Sequence, residues 1–161
     1  MQLNLSAGLT TGFTYAITDI SISGVNNSGT FTYSNSIGDW TDQAGTASYV
    51  YAGDFDGTIT NNVLKLSTGS NALMLMPQTV PAGAEISVTY KATANSTSQV
   101  TFDGTKKIAI NDVKWEKGSN ICYKLILPTG AEAITYSAVV NPWGDEDSQD
   151  KTTCSSFCCE W

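Results

Sequence analysis

The chain has 161 residues and a net charge of −7, the size of one ordinary domain and enough to bury a core without metal or disulfides. Charged residues make up only 14%, where about 25% is usual; Ser, Thr, Asn and Gly stand in their place. There is no histidine and all eight basic residues are lysine, which removes the commonest general base and metal ligand, removes arginine's bidentate grip on phosphate, and excludes nucleic acid and anionic membrane surfaces as partners.

Taken in chain order, the elements are short strands. Leu3 and Leu5 hint at the first. From Tyr15 to Ile22 the apolar phase slips, with Tyr15 and Ile17 on one parity and Ile20 and Ile22 on the other. A β-bulge near Thr18-Asp19 reconciles them. Asn26-Asn27-Ser28-Gly29 reads as a turn. The 36–60 region is rich in Gly, Asp and Ser and is hard to place; Tyr49-Val50-Tyr51 is a strand or a packed loop there. Leu64 and Leu66 alternate, and Thr68-Gly69-Ser70-Asn71 follows as a turn.

The second half is clearer. After the turn at Pro81-Ala82-Gly83, Ile86, Val88, Tyr90 and Ala92 alternate with Glu85, Ser87, Thr89 and Lys91, a strand with one wet face. Ile108 and Ile110 make a shorter case. Tyr123, Leu125 and Leu127 alternate with Cys122, Lys124 and Ile126, and Pro128-Thr129-Gly130 turns the chain. Ile134, Tyr136, Ala138 and Val140 alternate with Thr135, Ser137 and Val139. Roughly nine or ten strands and no sustained helical spacing predict an all-β sandwich or barrel. Residues 1–143 form that domain, and 144–161 are an acidic, then cysteine-rich tail.

No apolar run approaches the ~20 residues of a membrane span. Met1-Gln-Leu-Asn-Leu has neither a charged nor a long apolar leader segment. The start therefore reads as that of an excised domain whose signal sequence is not in this chain.

Candidate chemistry is thin. Cys154, Cys158 and Cys159 cluster in the tail. As a metal site they need a fourth ligand, which only Cys122 could supply if the tail folds back. A disulfide from Cys154 to Cys158 or Cys159, in an oxidising compartment, is the plainer reading. Asp54-Phe55-Asp56-Gly57 begins like a calcium loop but lacks the closing Glu; a simple turn accounts for it. Three Asn-x-Ser/Thr sequons, at Asn4, Asn26 and Asn95 of this Asn- and Ser-rich chain, carry no weight. No nucleophile has a histidine to activate it. Carboxylate pairs remain conceivable, yet the acidic residues sit in turns and the tail. Trp40, Trp115, Trp143 and Trp161 either form a sugar-binding platform or close the ends of the sandwich; the strand ends beside Trp115 and Trp143 favour packing. No catalytic residue, cofactor or metal is expected.

Some residues spell out more than a pattern. Leu73-Met74-Leu75-Met76-Pro77-Gln78 is followed by a strand ending in Tyr90, then by Trp115-Glu116-Lys117-Gly118 leading into Cys122-Tyr123-Lys124-Leu125, and finally by Ile134 to Trp143. This order, over about residues 10 to 143, resembles the C-terminal half of the fimbrillin family, surface pilins and lipoproteins of Bacteroidales. The earlier Ile20-Ser21-Ile22-Ser23-Gly24 and Ser28-Gly29-Thr30-Phe31 fit as well. The resemblance implies a transthyretin-like, Greek-key β-sandwich of about seven to ten strands, with Met76, Pro77, Gln78, Tyr90, Trp115, Gly118, Tyr123 and Trp143 as its structural motif positions. It implies an extracellular, non-catalytic pilin or adhesin whose partners are other pilin subunits or a surface protein or glycan. Such subunits polymerise by donating a strand to a neighbour's groove. The chain departs from the pattern in lacking an N-terminal domain and a lipidation Cys near its start, in carrying Ser119 where Lys follows the turn glycine, and in a tail too acidic to be a good donor strand. On residues alone, a carbohydrate-binding module with two exposed aromatic side chains on one face is the alternative. A glycosidase-like enzyme is the weaker third.

Overall fold

Period-two alternation runs through most of the chain, and extended structure is what it forms. The computed structural model describes residues 1–51, 55, 59–60, 62–66, 73–110 and 113–142. Among them are fourteen strands and no helix: β1 (Gln2–Gly8), β2 (Phe13–Val25), β3 (Ser28–Ser34), β4 (Ile37–Ala44), β5 (Ala47–Val50), β6 (Ile59–Thr60), β7 (Val63–Lys65), β8 (Leu73–Met74), β9 (Gln78–Thr79), β10 (Glu85–Ala94), β11 (Val100–Ala109), β12 (Lys114–Trp115), β13 (Ser119–Ile126) and β14 (Thr135–Pro142). Four of these are two-residue bridges, leaving ten of the length that a sequence pattern can reveal.

Two sheets build the sandwich. One has the order β14-β13-β1-β7-β6, with β8 also paired to β1; the other has the order β11-β10-β2-β5. β1 is central. It runs parallel to β13, with Leu3 beside Ile121, Leu5 beside Tyr123 and Ala7 beside Leu125. Its other edge pairs antiparallel first with β8 and then with β7. Leu3, Leu5 and Ala7 are buried against Ile20 and Ile22 of β2 and Ile86, Val88, Tyr90 and Ala92 of β10, in one continuous core. Each Leu, Ile or Val side chain among them contributes about 1.5–3 kcal/mol through burial. The alternating residues of β10 face solvent or lie half-buried, as a strand with one wet face requires.

The phase slip in β2 is a bulge. Asp19 pairs with Thr89 and Ile17 with Tyr90, so Thr18 is the extra residue, and its hydroxyl donates to the Thr89 carbonyl. Ile17 and Ile20 are thereby both turned into the core. Tyr49-Val50-Tyr51 resolves as β5 followed by a buried Tyr51.

β14 departs from its expected alternation. Ile134 is buried and Tyr136 half-buried, but Ala138 is exposed and Val140 is 48% exposed. β14 is an edge strand. Val140 pairs with the fully buried Ile121, so the core face continues onto β14 beyond the part that is covered. The tail cysteines Cys154, Cys158 and Cys159, Trp143, Trp161 and most of the Asp54–Gly57 segment lie outside the described residues. Cys122 is buried in β13.

Candidate functional site

Outside the two sheets lie two small ribbons, β3–β4 and β9–β12. The first is a hairpin whose second strand falls in the 36–60 stretch that was hard to place. Its two-residue loop, Asn35-Ser36, has positive φ at both positions (51° and 64°), the backbone of a type I′ turn, which suits the right-handed twist of the flanking strands. Asn tolerates this conformation well. Phe31 pairs with Trp40 and Tyr33 with Gly38, so all four share one face. Phe31 and Trp40 pack with ring centroids 5.2 Å apart and tilted by 52°. The Phe31 ring also lies over Gly38, where an added Cβ would meet it at 2.5 Å; only glycine leaves that space. Tyr33 is 72% exposed.

A groove of about 520 Å³ separates this hairpin from β9, β12 and the turn after β12. On the hairpin side it is lined by Asp39, Trp40 and Gln43. A register shift brings Asp42 to a φ of 50°, and Gln43 beyond it donates through Nε2 to the Pro77 carbonyl. On the other side stand Thr79, Lys114, Glu116 and Lys117. Lys117 Nζ donates to the Gly38 carbonyl at 2.9 Å and ties the two walls together. Lys114 pairs with Glu116 at 3.2 Å, and an Asp39 carboxylate oxygen accepts from the Trp40 backbone N–H.

The base of the groove holds two of the motif residues. Trp115 is 1% exposed, and its indole N–H donates to the Tyr123 hydroxyl at 3.0 Å. Gln78 is 4% exposed. Its Oε1 accepts from Asn26 N at 2.8 Å, and its Nε2 donates to the carbonyls of Asn26 and Met76. One amide side chain thus acts as a strand partner for the turn that leads into the hairpin. Gln78→Ala would leave the Asn26 N–H and carbonyl without partners in a half-buried setting. A loss of about 2 kcal/mol is expected, together with rapid hydrogen exchange at the Asn26 amide; retained protection there would refute the clamp.

The other motif residues are spread through the frame. Met76 is half-buried on the approach to Gln78, and Pro77, also half-buried, joins Gln78 and Trp115 in the groove lining. Tyr90 is buried in β10 and its hydroxyl donates to the Pro128 carbonyl at 2.6 Å. Gly118 has a φ of 67° in the turn between β12 and β13. Tyr123 lies at the centre of β13. Of the tryptophans, Trp115 is packed and Trp40 is half-buried in the groove wall. Trp40, one of the four tryptophans weighed as a sugar platform, stands in the groove wall; Gln43 is the groove residue that sequence reasoning missed, with only the Thr- and Tyr-containing run before Asn35-Ser36 to mark its hairpin. Among the described residues no cluster of His, Cys, Asp or Glu could hold a metal ion, and no helix is long and apolar enough to cross a membrane.

Fold and site together define an all-β sandwich with an accessory aromatic hairpin and a polar groove at its foot. The chain belongs to the fimbrillin-like family, whose model matches residues 1–143. Its fold is similar to that of a fimbrial protein from Bacteroides vulgatus, with a TM-score of 0.56 and 14% identity over 88% of this chain and 54% of that one. A protein from Bacteroides uniformis assigned to cell adhesion is also similar, with a TM-score of 0.46 and 16% identity over 88% of this chain and 50% of that one. The chain spans about half the length of these structures. No curated protein matches it.

Proposed function

We propose that the chain is a non-catalytic subunit of a cell-surface fimbrial or adhesion assembly, acting outside the cell and joining its neighbours by strand addition along β14. Membership of the fimbrillin-like family over residues 1–143 is the observation that carries this reading. The sheet edges support the assembly mode. β11, one long edge, carries Asp103, Lys106 and Lys107, with Lys107 paired to Glu85 and Lys91 to Asp103. Charges of this kind guard an edge against pairing. β14 carries none from Thr135 to Pro142, shows Ala138 and Val140 to solvent, and has no strand on its outer side among the described residues. An added strand there would gain backbone hydrogen bonds and cover the apolar face that β14 leaves open.

The motif residues Gln78, Tyr90, Trp115, Gly118 and Tyr123 then serve as framework. So do Met76 and Pro77, which lead into Gln78. Residues 1–143 are the working domain and 144–161 a separate tail in which Cys154 closes on Cys158 or Cys159. Chemistry is not part of this role: there is no histidine, and the groove carboxylates of Asp39 and Glu116 are engaged by Trp40 N–H and Lys114.

Light scattering at two concentrations, with and without reductant, tests the assembly. Concentration-dependent, reductant-resistant association is expected, and Val140→Lys should abolish it while the far-UV spectrum stays that of a β-sheet protein. A monomer at every concentration would overturn strand addition along β14.

A further inference from the structure

We propose that the groove between β4 and the β9–β12 ribbon binds a neutral saccharide. This rests on the surface-adhesion reading and names the ligand class that such a subunit would hold. A pyranose presents polarised C–H groups on one face and hydroxyls around its rim. The first need an aromatic face, which carries partial negative charge. The second need a wall offering donors and acceptors together.

The groove supplies both. Trp40 lines it and is held from the side by Phe31, so the ring is placed before any ligand arrives. The Gln43 amide is fixed by its bond to the Pro77 carbonyl. The Thr79 hydroxyl, two carboxylates and two ammonium groups complete the lining. Asp39 and Glu116 balance Lys114 and Lys117, so the wall has no net charge with which to attract an anion or a cation. The volume of about 520 Å³ falls within the roughly 300–1,000 Å³ of small-ligand clefts. A peptide is a poorer fit. Protein recognition uses a pocket that swallows an apolar anchor, and here the large apolar group at the base, Trp115, is already sealed at 1% exposure.

The test is an array of neutral and charged oligosaccharides, followed by titration of the strongest neutral binder against the whole chain. Saturable binding of a neutral oligosaccharide is expected, weakened roughly tenfold by Trp40→Ala and by Gln43→Ala and unchanged by Val100→Ser on β11. Both groove variants should keep the wild-type unfolding midpoint to within the effect of a partly exposed substitution; if Trp40→Ala does not fold, Gln43→Ala and line broadening of the Trp40 indole resonance carry the test. Binding confined to anionic glycans, binding indifferent to both groove variants, or no binding by any array member would overturn the proposal. Light scattering on the same sample separates the two readings. A chain that associates through β14 but binds no sugar refutes the groove alone, and a sugar-binding monomer refutes strand addition alone.

Discussion

Trp115→Ala is expected to lower stability by about 3–5 kcal/mol, a large fraction of the roughly 5–15 kcal/mol that a domain usually has. The indole is 1% exposed and stands between the β9–β12 ribbon and the sandwich. Truncation removes its buried area, leaves a cavity under the groove and strips the Tyr123 hydroxyl of its donor. The two losses can be separated. Trp115→Phe keeps most of the ring area but not the N–H, and about 1–2 kcal/mol is expected. A double-mutant cycle with Tyr123→Phe should return a coupling of about 1 kcal/mol for the hydrogen bond alone. Urea unfolding measures all of these, with the slope unchanged if only the native state is weakened. A Trp115→Ala variant within about 1 kcal/mol of wild type would mean that the ring does not pack as the structure has it.

How much of this was readable beforehand depends on burial. β10 declared itself because Ile86, Val88, Tyr90 and Ala92 face the core while every alternate residue is at least partly wet. The Thr18 bulge was readable for the same reason: Ile17 and Ile20 both need the core, and one extra residue is the cheapest way to place them. The β3–β4 hairpin was not readable. Phe31, Tyr33 and Ile37 are exposed on a ribbon that covers no sheet of its own, so no period separates its faces, and its turn uses Ser36 where glycine would have given the signal. The groove inherits part of that blindness: Trp40 stood out as a tryptophan, but its place on the hairpin and the partnership with Gln43 did not. The motif around Gln78 and Trp115 was visible as a string of residues, but its work was not. Gln78 reaches across 52 residues of chain to Asn26, and no local pattern encodes that distance. β14 shows the opposite error. Its alternation was correct as a pattern, yet an edge strand need not bury what it alternates.

The same buried aromatics set a limit at high pH. Burial pushes the Tyr51 phenol well above its usual range, with the neighbouring Tyr123 and Cys122 adding to the effect. Burial does the same to Tyr90, with Tyr15 and Glu132 adding. Tyr123 is raised by burial to about 12, the Trp115 hydrogen bond opposing and Tyr136 adding. An unfolded tyrosine ionises near pH 10. The unfolded chain therefore sheds these protons first, and the stability they contribute is fully present below about pH 10 and is lost as pH rises toward 12. Tyr123 alone accounts for a loss on the order of 3 kcal/mol across that window. The chain should thus stay folded to about pH 10 and unfold cooperatively above it, the far-UV signal and the tyrosinate absorbance changing together. Tyr51→Phe is the informative variant. It gives up only a long 3.4 Å contact to the Leu3 carbonyl, so stability at neutral pH should barely change. The alkaline midpoint should move upward, because a group that must ionise on unfolding has been removed. An unmoved midpoint would mean that Tyr51 is not the buried, proton-retaining side chain at the heart of this sandwich.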